Sequence, residues 1–193
     1  MKSLFSKINK RREKEESPSI LDSFQFNFLL SNTVFILPLS ADGQQPSNKI
    51  YIDFVNFRKF INHTNFDEVV NHFVNLILEV LKYYDTFELH MNIRTLTITA
   101  TEKYKDIILM FYDKYQTNYI NRIDSLYIYY TPSFFDVIKT IFVKLSPLSN
   151  TFNIEAVLYG KPESDDKLAI LLKDRMAFIN GDFSADDEDE DSI

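Results

Sequence analysis

Apolar positions along this chain switch repeatedly between two spacings, every second residue and every third or fourth. In FQFNFLL, Phe24, Phe26 and Phe28 alternate with polar residues, the period of a strand. TVFILPL (33–39) reads as a second strand and KIYIDF (49–54) as a third, with the turn-rich SADGQQPSN between them carrying Gly43 and Pro46. Asn65, followed by Glu68, has the spacing of a helix start. Val69, Val70, Phe73, Leu76, Ile77, Val80, Leu81 and Tyr84 then form one helical stripe. Strand alternation returns in TFELHMNI and, after a slip of phase, continues through Leu96 and Ile98. A helix is predicted over about 101–115, with Tyr104, Ile107, Ile108, Phe111 and Tyr115 inward. IDSLYIYY (123–130) reads as a buried strand, Ser133–Leu145 as a helix and FNIEAVLY (152–159) as a last strand. Ser164 is placed as the cap of a final helix, DDKLAILLKDRM.

The middle of the chain thus alternates strand and helix, and the helices are long enough to serve as crossovers. That order predicts an α/β fold with a mixed, largely parallel central sheet and crossover helices. The ends differ. Residues 1–19 read as a basic flexible arm, 20–181 as the folded domain and 182–193 as a disordered acidic tail.

Charge changes the picture only once it is located. The formal net charge is −7, but 182–193 holds seven acids and no base, which leaves 1–181 formally neutral. The body offers no basic excess to suit phosphate backbones, so no nucleic-acid partner is expected. The arm carries Lys2, Lys7, Lys10, Arg11, Arg12 and Lys14, with Leu4, Phe5 and Ile8 on one face of a short helix. It reads either as a solubilising leader or as a weak contact for an anionic membrane surface or an acidic partner. With 193 residues, 18 Phe and 11 Tyr, the chain can bury a core without disulfides. Cysteine is absent, no apolar run reaches the roughly 18 residues of a membrane span, and charge resumes at Lys7, before any signal-peptide core. A cytoplasmic protein is expected. The bias toward Asn, Lys, Ile, Phe and Tyr is usual in AT-rich genomes, such as those of some large DNA viruses and protists.

Reactive chemistry is sparse. Gly43, Gly160 and Gly181 are the only glycines, too few and too scattered for a phosphate-cradling loop. His63, His72 and His90 lack the i, i+4 spacing of a helical zinc pair. His72 lies off its helix stripe, and His90 alternates outward from Leu89 and Met91 as a solvated strand residue. Asp67–Glu68 and Asp165–Asp166 fall in first helical turns, where negative charge suits the helix dipole. No nucleophile, base and oxyanion donor come into register. The expectation is a binding protein without cofactor or metal, and not an enzyme.

The stretch YINRIDSLYIYYTPSFFDVIKTIFVKLSP resembles a signature of the CRAL-TRIO, or Sec14-like, lipid-binding domain. Tyr119, Arg122, Ile123, Leu126, Tyr127, Ile128, Pro132 and Phe135 fall on its positions, and the resemblance spans about 49–181. It implies a divergent Sec14-like domain that lacks the family's N-terminal helical lobe. The family's headgroup-linked Glu and Lys correspond to Asn121 and Asn153, and the Asp of its strand to Asn92. A site for a phosphorylated headgroup is therefore not expected. The resemblance also implies that the strand after Ile123 floors a hydrophobic cavity, with the helix after Pro132 as its gate. The candidate lipid-binding wall is then Leu126, Ile128, Phe134, Phe135, Ile138, Ile141 and Phe142. Two functions follow from that wall. Either it encloses a lipid or other apolar small molecule, or its own rings fill the space and the domain is an adaptor that meets a protein partner.

Overall fold

The computed structural model describes residues 22–37, 46–115, 119–138, 140 and 156–180. The chain runs through α1 (Ser23–Ser31), β1 (Val34–Ile36), β2 (Lys49–Asp53), α2 (Phe54–Phe60), a 3-10 turn at His63–Asn65 and α3 (Phe66–Val80). It continues through β3 (Phe87–Asn92), α4 (Ile98–Tyr115), a second 3-10 turn at Ile120–Arg122, β4 (Ile123–Tyr129), β5 (Ala156–Tyr159) and α5 (Glu163–Asn180). The five strands form one sheet in chain order, antiparallel between β1 and β2 and parallel from β2 to β5. The expected α/β fold with a mixed, largely parallel sheet is therefore present.

Between β2 and β4, parallel neighbours joined by right-handed crossovers, with the strand order never reversing, send both crossovers over the same sheet face. The packing agrees. Phe54 and Phe57 of α2, Val69 and Val70 of α3 and Tyr104 and Ile107 of α4 form one buried cluster, into which Ile52 of β2 packs. Ile50, Ile77, Val80, Phe87 and Leu89 form its continuation. The register lines up Val34, Ile52, Met91, Ile128 and Leu158 in one row of that face, and Ile36, Ile50, Leu89, Leu126 and Ala156 in the next. Ile123 joins the same cluster as Leu126, three residues on, because β4 carries an extra residue at Asp124 opposite the Phe87–Glu88 step. The rings of Phe54, Phe57 and Phe66 surround Tyr104 at centroid distances of 5.5, 5.5 and 6.4 Å.

Several local expectations change. FQFNFLL is not a strand: Asp22 caps α1, its carboxylate accepting from the Gln25 amide at 2.7 Å, and the segment is helical. Three alternating phenylalanines read as a strand only if both faces of the element are ignored. In the helix Phe26 and Leu30 turn inward, while Phe24 and Phe28 turn out. β3 stops at Asn92, so Leu96 and Ile98 do not extend it. Asn92 and Thr97 break the strand by taking backbone bonds from Arg94 and Ala100, and Ile98 opens α4. Ile108, expected inward, is exposed. Asn65 is the N-cap position of α3, where the helix start was expected, but its side chain makes no cap bond there and instead exchanges bonds with Asn62 across the preceding 3-10 turn. Ser164 lies inside α5 rather than at its cap.

Among the described residues no helix is long and apolar enough to cross a membrane. The arm at 1–19, the tail at 182–193 and parts of the two segments expected at 133–145 and 152–159 lie outside the described residues. Of those segments, residues 135–138 and 140 are helical and Ala156–Tyr159 is strand.

Candidate functional site

Two residues of the expected wall, Leu126 and Ile128, sit on the helix-covered face of the sheet. Leu126 packs against the cluster of Ile50, Ile77, Val80, Phe87 and Leu89, joined there by Phe73, Phe111 and Tyr119. Ile128 is buried one step along the strand. After Pro132 the chain turns into helix: the Phe135 amide donates to the Pro132 carbonyl at 3.0 Å, and the Val137 amide to that of Phe134 at 3.0 Å. Ile138 is 1% exposed and Phe134 and Phe135 are half-buried, whereas Val137 faces solvent. Ile141 and Phe142 lie outside the described residues. Of the described wall residues, Leu126 and Ile128 share one face of the sheet, and Ile138 is buried beyond the end of β4.

The opposite face is built differently. Phe35, Tyr51, His90 and Tyr127 line up across β1 to β4, and Asp53, Asn92, Tyr129 and Tyr159 line up across β2 to β5. Within the rows His90 lies parallel to Tyr127 at 4.6 Å and Tyr129 stacks on Tyr159 at 5.3 Å. Between them His90 stacks on Tyr129 at 6.0 Å and Tyr127 on Tyr159 at 6.4 Å. α5 crosses this face on Leu168, Leu171 and Leu172. Its far end is held at the start of β1 by Arg175, whose guanidinium lies 3.3 Å from the Phe35 ring centroid and donates to Asn32 Oδ1 at 3.0 Å.

His90, expected to be solvated, is 3% exposed. Its outward phase was correctly read, but the outward face of β3 is itself roofed. The Glu88 carboxylate, 3.1 Å from Nε2, can only accept, so Nε2 carries the proton. Nδ1 therefore accepts from the Tyr129 hydroxyl at 2.9 Å. Lys49 Nζ, 3.8 Å from the same carboxylate, extends the chain. Burial pushes the His90 pKa below its ordinary 6.5, against the opposing pull of Glu88. Burial likewise raises the phenols of Tyr129 and Tyr51. The imidazole and both phenols thus stay neutral at pH 7. With the Tyr129 hydroxyl committed to His90 and its ring buried, the relay orients side chains and offers no exposed nucleophile.

The carboxyl-terminal edge of the sheet holds the one positive-φ non-glycine residue among those described, Tyr130 at φ 58°. A left-handed bulky residue costs roughly 1–2 kcal/mol, and three contacts hold it. Its amide donates to Ser164 Oγ at 2.8 Å, its hydroxyl donates to Asp165, and Arg94 lies 5.0 Å from its ring. Ser164 Oγ in turn lies 2.7 Å from the Gly160 carbonyl. This clasp ties the end of β4 to the start of α5.

Sequence reasoning missed His90, Tyr129, Tyr130 and Ser164 as a connected group. One signal was available: Tyr51, His90, Tyr127, Tyr129 and Tyr159 share the phase opposite to the aliphatic residues in four predicted strands. Among the described residues, no three His, Asp or Glu side chains group as metal ligands. No family model matches this chain, and no curated protein matches it.

Proposed function

We propose that this protein is a non-catalytic interaction module, a divergent Sec14-like domain whose lipid cavity is closed by its own side chains. The observation that carries the reading is the packing of Leu126. Partly buried, it packs against the cluster of Ile50, Ile77, Val80, Phe87 and Leu89, which Phe73, Phe111 and Tyr119 also pack against. A floor residue of an open cavity faces a ligand; this one faces helices. The buried Ile138, on the segment that corresponds to the family's gate, supports the same reading. So does the neutral, roofed His90–Tyr129 pair, which is built for rigidity.

Native mass spectrometry of the purified protein, followed by solvent extraction, tests the proposal. The expected result is bare protein, with no rise in Tm when lipids are added. A co-purifying lipid overturns the reading in favour of an enclosed apolar ligand. Ile138→Trp separates the two independently. In a closed core it overpacks and destabilises the fold by about 1–3 kcal/mol; in an open cavity it blocks uptake and leaves the fold intact.

A further inference from the structure

We propose that the clasp between β4 and α5 is an acid-released latch: protonation of His90 unseats Tyr129, and α5 then lets go of the tyrosine face while the aliphatic side of the sheet stays folded. At neutral pH both imidazole nitrogens are matched, Nε2–H donating to Glu88 and Nδ1 accepting from the Tyr129 hydroxyl. A second proton lands on Nδ1, the one acceptor of the ring. The new N–H and the Tyr129 O–H then compete for the same 2.9 Å gap. The phenol must turn its hydrogen away, inside a layer packed from Phe35, Leu37, Tyr51 and Leu168. A displaced buried donor beside a buried charge favours any state that readmits water.

Three observations make α5 the element that moves. Leu168, Leu171 and Leu172 pack in the same layer as Tyr127 and Tyr129, the two rings stacked around His90. The residue after Tyr129 is the strained Tyr130, at φ 58°, whose amide and hydroxyl are held by Ser164 and Asp165 of α5, so strain at the joint favours release. On α5 only Ser164 and Leu168 are buried among the described residues, whereas α3 buries Phe66, Val69, Val70, Val74, Ile77 and Val80. A lightly anchored helix opens before a deeply anchored one.

The groups around the ring set the direction of the response. Burial opposes the second proton, Glu88 on the same strand favours it, and Lys49 of β2, 3.8 Å from Glu88, opposes it. β2 also brings Tyr51, β4 brings Tyr127 and Tyr129, and β5 brings Tyr159. α5 adds Lys167 over the Tyr159 ring at 5.8 Å, Arg175 over Phe35 and Asp165 at the Tyr130 hydroxyl. With α5 seated, His90 holds its proton more weakly than the ordinary 6.5, which returns when the ring meets water. Release therefore grows as pH falls below 6.5 and gains nothing above it.

Amide hydrogen exchange on the full chain, corrected for the intrinsic rate, tests the latch from pH 7.5 down to about pH 5.5. Protection over Leu168–Leu172 and at Tyr130 should fall about threefold or more across that range. At every pH those amides should exchange about tenfold or more faster than Val74–Val80 of α3. His90→Gln should flatten the fall. Tyr129→Phe, which removes the competing hydrogen, should shrink it, and serves if the first variant does not fold. Asp165→Asn should keep it, because Asp165 holds the clasp without triggering it. A fall confined to Val74–Val80 means that His90 meets water only when the whole fold opens, and overturns the proposal. So does equal protection of the two helices, a full fall in either His90→Gln or Tyr129→Phe, or its loss in Asp165→Asn. The latch lies on the face opposite Leu126, so it stands or fails independently of the closed interior.

Discussion

The two faces of the central sheet are alternate positions of the same strands, yet they are held by different physics. On the helix-covered face the rows are aliphatic, Ile50 with Leu89 and Leu126, Ile52 with Met91 and Ile128, and burial alone explains them. On the face under α5 the rows are Tyr51, His90 and Tyr127, then Asn92, Tyr129 and Tyr159, and polar atoms must be paired before the rings can be buried. The first face tolerates any residue of the right size. The second is specific, because the buried His90 takes both Glu88 and Tyr129 as partners, and the Tyr129 hydroxyl donates to His90. Buried strands with both faces covered ordinarily read as continuous apolar runs; here one face is apolar by composition and the other only by pairing.

The largest effect should come from the aliphatic side. Phe87→Ala, at a side chain 1% exposed, should cost about 3–5 kcal/mol in urea unfolding. A loss under about 1 kcal/mol would mean that this face is not the main core. Next comes the clasp between the faces and α5. Ser164→Ala removes the acceptor of the Tyr130 amide and should cost about 1–3 kcal/mol, with faster amide exchange at Tyr130.

Tyr129→Phe should cost about 1 kcal/mol by leaving His90 Nδ1 without its donor. The same network predicts a pH dependence. His90 is neutral in the fold, with its pKa below 6.5, so between that depressed value and 6.5 the unfolded chain binds more protons than the folded one. Stability from this group is therefore complete above pH 6.5 and falls as pH drops below it. Lys49 and Glu88 face the imidazole from the neighbouring strand and its own. Comparing the unfolding free energy of the parent and His90→Gln from pH 7.5 downward isolates the effect; parallel curves would show that His90 does not titrate in this window.

The smallest effect on stability should be that of Phe24→Ser with Phe28→Ser, within about 0.5 kcal/mol, since both rings already face water. A larger loss would place Phe24 or Phe28 in the packed interior.

Periodicity alone determined much of this molecule: the positions of β2, β3, β4 and α3, the α/β class, and the division of Leu126 and Ile128 from Tyr127 and Tyr129 onto opposite faces. Those follow from local geometry, because side chains alternate along a strand and recur every 3.6 residues along a helix. Period could not say what covers a face, and there the reading erred. His90 was correctly outward, but the rings of Tyr127 and Tyr129 on the neighbouring strand, on a face that α5 packs against, turned outward into buried. FQFNFLL matched a strand pattern, but the Asp22 cap and the docking of Phe26 and Leu30 make it a helix, and so leave Phe24 and Phe28 in water. Ser164 looked like a cap until the strained Tyr130, 34 residues earlier, was found donating to it. Each of these depends on partners distant in the chain. Contacts of that kind are decided by the packing of whole elements, which a pattern along one strand or one helix does not contain.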